Sequence, residues 1–71
     1  MMSHVSENLK EAMENAGLTV SELSYDARVP YQRVYYILNN KTPNPRVETL
    51  KKIADALGVT VDQLLKDRGE A

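Results

Sequence analysis

The stretch VPYQRVYYILNN, Val29 to Asn40, gathers three of the chain's four tyrosines, one arginine and three side-chain amides, and it holds no carboxylate. Phenols, amides and a guanidinium donate and accept hydrogen bonds, but none is a ready base or nucleophile on its own. Such a set suits recognition, with hydrogen bonds to phosphates and to the edges of bases. The rest of the chain offers little competing chemistry. His4 is the only histidine, and it falls in an N-terminus expected to be flexible and solvated. Glu7, Glu11 and Glu14 share a helix face by their spacing, which is the usual pattern of a solvated face rather than a metal cage. No H-E-x-x-H, P-loop or G-x-G-x-x-G pattern occurs. The chain reads as a non-enzyme, with no cofactor and no metal centre.

The charge distribution supports recognition of an anion. Net charge is −1 over 71 residues, which argues against a generic polyanion binder. Its parts differ: residues 1–27 carry one lysine against five acids, residues 28–47 carry Arg28, Arg33, Lys41 and Arg46 with no acid, and residues 48–71 carry four bases against five acids. The blocks sum as −4, +4 and −1, so one central stretch is an electropositive island.

Positioning these side chains requires helices. Val5, Leu9, Ala12, Met13 and Ala16 recur at helical spacing along a first helix, which Gly17 can end in a left-handed conformation. Thr19-Val20-Ser21-Glu22 has the form of a capping box and opens a second helix with Leu23 and Ala27 inward, ending near Arg28. A third helix is expected from about Pro30 to Asn39, stopped at Asn39-Asn40. Lys41 to Pro45 is a loop, and Asn44 is expected to cap a fourth helix with Pro45 in its first turn. Val47, Leu50, Ile53, Ala54 and Leu57 form the inner stripe of that helix, which Gly58 closes. Thr60 to Gln63 is a second capping box, opening a fifth helix with Leu64 and Leu65 inside. The fold class is all-α, a bundle of five short helices, in one domain from about 6 to 66 with a flexible 1–5 and a frayed 67–71.

A chain this short buries only roughly 60% of its unfolded surface. It has no cysteine to staple it. No segment reaches the roughly 20 apolar residues of a membrane helix, and no secretory signal opens it. A cytoplasmic location is expected.

On the third helix Val34, Ile37 and Leu38 share the inward face, so Gln32, Tyr36 and Asn39 take the opposite one. Tyr35 stands at the shoulder and Arg33 on the other flank. Tyr25 and Tyr31 are expected to lie against neighbouring helices, whereas Tyr35 and Tyr36 together suggest a surface that meets a ligand.

Val20 to Asn39 resembles the helix-turn-helix of the lambda repressor and Cro-type (XRE-like) DNA-binding family, with Leu23, Ser24, Ala27, Val29, Val34 and Ile37 at the expected small or apolar positions. The similarity continues through NNKTPNPRVETLKKIADALGVTVDQLL and spans roughly residues 6 to 66. It implies a bundle of the lambda repressor-like type in which the second and third helices bind DNA. Carried over position by position, it implies that Pro30, Tyr31, Gln32, Tyr35, Tyr36 and Asn39 face outward on the recognition helix, with Gln32 and Arg33 near the end that enters the groove. It likewise implies that Lys41 and Thr42 meet the phosphate backbone and that Arg46 points to the minor groove.

The departures are specific. Val20 stands where the family commonly has a phosphate-holding Gln. Arg28 stands at the turn position usually taken by Gly, where it could reach a phosphate. Pro30 replaces a Ser cap. Met13 and Leu38 replace a buried Arg–Glu pair, an exchange that can be neutral or stabilising. The implied function is a sequence-specific DNA-binding transcriptional regulator, a repressor of bacterial or phage type, binding double-stranded DNA as a homodimer. The alternative is a protein-interaction module or antitoxin-type regulator on the same fold, meeting a protein partner through Tyr35 and Tyr36.

Overall fold

The computed structural model describes residues 4–41 and 45–66. Its helices are α1 (Val5–Ala16), α2 (Val20–Ala27), α3 (Tyr31–Leu38), α4 (Val47–Leu57) and α5 (Val61–Leu65), with no strand among the described residues. None of them is long and apolar enough to cross a membrane.

Local chemistry sets the helix ends. α1 and α4 stop at Gly17 and Gly58, at φ 71° and 74°, where a side chain would be strained. α2 opens on the expected capping box: the Glu22 amide donates to Thr19 Oγ1 at 3.2 Å, and the Thr19 amide donates to Glu22 Oε1 at 2.9 Å. α5 repeats the device with Thr60 and Gln63 at 3.0 and 2.9 Å. α3 has no side-chain cap, since Pro30 holds its N-cap position. Asn40, at φ 59°, turns the chain after Asn39. The α4 start differs from expectation. Arg46 is its N-cap and Pro45 precedes the helix rather than joining the first turn, while Asn44 lies outside the described residues.

The core draws on every helix. Leu9, Leu23, Val34, Ile37, Ile53 and Leu64 are essentially sealed from solvent, and Val5, Met13, Ala27, Val29, Leu50 and Ala54 complete the cluster. α2 packs on α3 and α4, while α1 packs on α3 and α5. Ala12, Leu38 and Leu57, expected inside, are partly buried against this cluster, and three expected core positions are exposed. Val47 is exposed because packing on α4 begins one turn later, at Leu50. Leu65 is exposed because α5 is little more than one turn and turns only Leu64 into the core. Ala16, the last residue of α1, lines an open groove with Leu57 and Val59.

Asn8 is buried without having been expected there. Its side-chain amide donates to the carbonyl oxygens of Leu64 at 2.7 Å and Lys66 at 2.9 Å, satisfying acceptors at the end of α5. Polar periodicity hides such a residue, because Asn8 sits beside Leu9 on the apolar face. His4 is not a loose terminal side chain: it is the N-cap residue of α1, half-buried, with Nδ1 3.9 Å from Glu7 Oε1. Val5 belongs to the core. Residues 1–3 and 67–71, expected to be flexible or frayed, lie outside the described residues.

Candidate nucleic-acid interface

The turn between α2 and α3 is built from three residues. Arg28, at φ 58° and ψ 42°, caps α2 in the left-handed region where glycine is usual. Val29 is buried, its amide donating to the Ser24 carbonyl at 3.1 Å. The Ser24 hydroxyl donates to the Val29 carbonyl at 2.6 Å, closing the turn from both sides. At the far end of α3 the Ser6 hydroxyl donates to the Leu38 carbonyl at 2.6 Å, which ties the helix to α1. With Val34 and Ile37 buried, α3 is held by one face and both ends, and its other face is left to solvent.

That outward face is organised. Gln32 Nε2 donates to the Tyr36 hydroxyl at 2.9 Å, one helical turn away. Tyr31 and Tyr35 stack with ring centroids 6.3 Å apart and planes 12° apart, and Tyr36 tilts against Tyr35 at the same centroid distance. Tyr35 is 43% and Tyr36 39% exposed, so the rings that sequence spacing turns outward do face solvent. Asn39, at the C-cap of α3, donates from Nδ2 to the Tyr35 carbonyl at 2.9 Å. Lys41 follows, exposed, its amide on the Tyr36 carbonyl at 2.7 Å.

Two tyrosines depart from expectation. Tyr31 is 52% exposed and rests on Tyr35 rather than on a neighbouring helix. Tyr25 is 84% exposed, because on α2 it lies opposite the buried Leu23–Ala27 stripe. The α3 rings therefore form one continuous aromatic strip, and Tyr25 stands apart on another helix.

The cations divide between two places. Lys41 follows α3, whereas Arg28, Arg33 and Arg46 line a cleft of about 400 Å³ with Val29, Pro30, Glu48, Thr49 and Lys52. Arg33 thus lies on the α4 side of α3, away from Gln32 and Tyr36. Lys52 is a member that sequence reasoning missed, because a block charge count assigns it to the acid-balanced C-terminal third. Its signal was local: Glu48, Thr49 and Lys52 are three and four apart, on one flank of α4. Thr42 lies outside the described residues. The acids Glu7, Glu11 and Glu14 line a separate surface of α1 with Lys10.

Comparison with known proteins agrees with this geometry. A family model described as the Cro/C1-type HTH DNA-binding domain matches residues 8–70. The chain is 34% identical, over 92% of its length and 91% of the relative's, to the SPbeta prophage-derived uncharacterized HTH-type transcriptional regulator YopO of Bacillus subtilis strain 168. Among solved structures, the N-terminal DNA-binding domain of SinR from Bacillus subtilis superposes with a TM-score of 0.87 at 29% identity, covering 93% of this chain and 96% of that one. SinR, the master regulator for biofilm formation, solved in complex with DNA, gives a TM-score of 0.84 at 29% identity over 87% of this chain and 98% of that one. The match to the SinR–SinI complex, also with a TM-score of 0.87 at 29% identity, covers 93% of this chain but spans only 64% of the chain it matches. These relatives are transcriptional regulators and DNA-binding domains, not enzymes. The chain belongs to the Cro/C1-type helix-turn-helix DNA-binding domain family.

Proposed function

We propose that the protein is a sequence-specific transcriptional regulator, a repressor of bacterial or phage type acting in the cytoplasm, and that it inserts α3 into the DNA major groove as one half of a homodimer. The observation that carries this reading is the outward face of α3, where Gln32 and Tyr36 are hydrogen-bonded to each other and free of the core. One Gln32 amide hydrogen is engaged by Tyr36. The other hydrogen and Oε1 remain for a base edge, and together they match adenine N7 and N6. The ring faces of Tyr31 and Tyr35 suit thymine methyl groups, and Asn39 and Lys41 follow toward the groove wall. Arg46, exposed at the α4 N-cap, fits an approach to the minor groove.

Dimerisation follows from affinity. A single domain making about four to six phosphate contacts binds weakly at physiological salt, while two half-sites one helical turn apart multiply the gain. The loop after α3, α5 and the C-terminal tail are the surfaces left for the second copy. A second reading, a protein partner on the tyrosine strip, is favoured by the exposed ring stack and by the existence of a SinR complex with SinI.

Selection of binding sites from randomised duplexes, followed by a salt titration, separates the two. Regulation predicts enrichment of a palindrome with A·T pairs in each half-site and a log–log salt slope of several units. No enriched sequence, together with a flat salt response, would leave the protein-partner reading instead.

A further inference from the structure

The cleft lined by Arg28, Arg33, Arg46 and Lys52 sets four cations against one carboxylate, Glu48. None of the four forms an ion pair among the described residues. They come from three separate segments: Arg28 from the α2–α3 turn, Arg33 from the first turn of α3, and Arg46 and Lys52 from the N-cap and second turn of α4. The N-terminal end of α4, the positive end of its dipole, opens on the same space, and Arg46 there supplies no side-chain cap. Like charges converging on a concave surface repel one another, and low-dielectric walls focus their field outward. Such an arrangement is relieved by an anion. Arginine forks and a lysine point charge are the groups that hold a phosphate, the forks bidentately.

The position relative to α3 narrows the role. Gln32 and Arg33 are adjacent, so their side chains diverge by about 100° around the helix. With Gln32 on the outward face, Arg33 is turned to the flank beside α4, and a helix lying in a major groove has the phosphate wall at its flank, not the base edges.

We propose that this cleft is a phosphate site in which Arg33 and Lys52 grip a phosphodiester of the DNA backbone, so that Arg33 sets register and Lys52 is a DNA-contacting residue of α4. This rests on the DNA-binding reading above and goes beyond it in assigning a second surface to the duplex. Arg28 and Arg46 stand at the rim of the same site.

The test compares Arg33→Ala, Lys52→Ala and the double variant with Lys51→Ala, which removes an equal charge from an exposed neighbour outside the cleft. Thermal melting checks that each variant is folded. Affinity for the selected operator and for random duplex should fall by the same factor in the cleft variants. The double variant should lose roughly 0.9 from the salt slope, as for one phosphate released, with Arg33→Lys retaining the slope. Lys51→Ala should bind nearly as the parent does. An unchanged slope, an equal loss in Lys51→Ala, or a shift in the operator-to-random ratio in Arg33→Ala overturns the proposal.

Should the parent protein bind no duplex at low salt, the DNA-binding reading fails separately, and the backbone as source fails with it. Inorganic phosphate titrated against the amide resonances of Arg33, Thr49 and Lys52 then judges the cleft itself. Perturbation present in the parent and lost in the double variant supports a phosphate site for a free ligand, and no perturbation overturns the site altogether.

Discussion

A glutamine whose amide already donates to a phenol has fewer orientations to lose when it meets a base. Under the proposed function, Tyr36 is therefore a positioning residue for Gln32 as well as part of the contact face. Gln32→Ala should reduce discrimination between operator and random duplex by roughly 1–3 kcal/mol, with the melting temperature nearly unchanged. Tyr36→Phe keeps the ring and removes the hydroxyl, so it should cost part of that discrimination and leave non-specific affinity intact. Competition binding measures both, and equal discrimination in parent and Gln32→Ala would remove Gln32 from the base-reading set. Arg28 tests a different balance. A non-glycine residue held at φ 58° is strained, and its charge lines the cationic cleft. Arg28→Gly should gain about 1 kcal/mol of stability and lose affinity for any duplex. Denaturant midpoints and non-specific binding decide it, and an Arg28→Gly variant no more stable than the parent contradicts the strain.

At the scale of elements, the short helices depend on their ends. α2 has eight residues and α5 five, too few to be stable on propensity alone. Thr19→Ala and Thr60→Ala should each lower unfolding free energy by about 1 kcal/mol, because each removes a side-chain acceptor from a capping box. Urea unfolding reads this directly, and a loss near zero at both sites would show that tertiary packing alone sets these helix starts. Asn8 acts across elements, since its amide from α1 holds the last carbonyls of α5. Asn8→Ala should cost about 1–3 kcal/mol by leaving buried acceptors without a donor. Hydrogen exchange should then show α5 amides losing protection before those of α2 and α3, and uniform loss throughout would place the effect in the whole core instead.

At the scale of the molecule, a small acid-balanced chain with one basic side is suited to approach a duplex in one orientation. α1 carries acids on a surface of its own, and the cleft between the α2–α3 turn and α4 carries cations that form no ion pair among the described residues. If the homodimer is the binding species, a duplex with two half-sites about one helical turn apart should be occupied cooperatively. Its salt slope should be close to twice that of a single half-site. Electrophoretic titration at two salt concentrations checks this, and equal slopes on the two duplexes would point to a monomer.

Read from sequence alone, the five helices, their order and both capping boxes were determined, because periodicity and caps are local: Leu23 with Ala27, Thr19 with Glu22, and Gly17 and Gly58 each act within a turn or two. The outward aspect of Gln32 and Tyr36 was legible for the same reason, since Val34 and Ile37 had already claimed the inner face. What only the tertiary structure decided depends on which helices meet. Asn8 is buried because the end of α5 arrives beside α1, and Val47 and Leu65 are exposed because their apolar stripes outrun their neighbours. Helical spacing already put Arg33 on a flank of α3, but only the way α4 and the α2–α3 turn come together around one cleft gathers Lys52 and Arg46 with it into a site their distance along the chain gave no reason to expect.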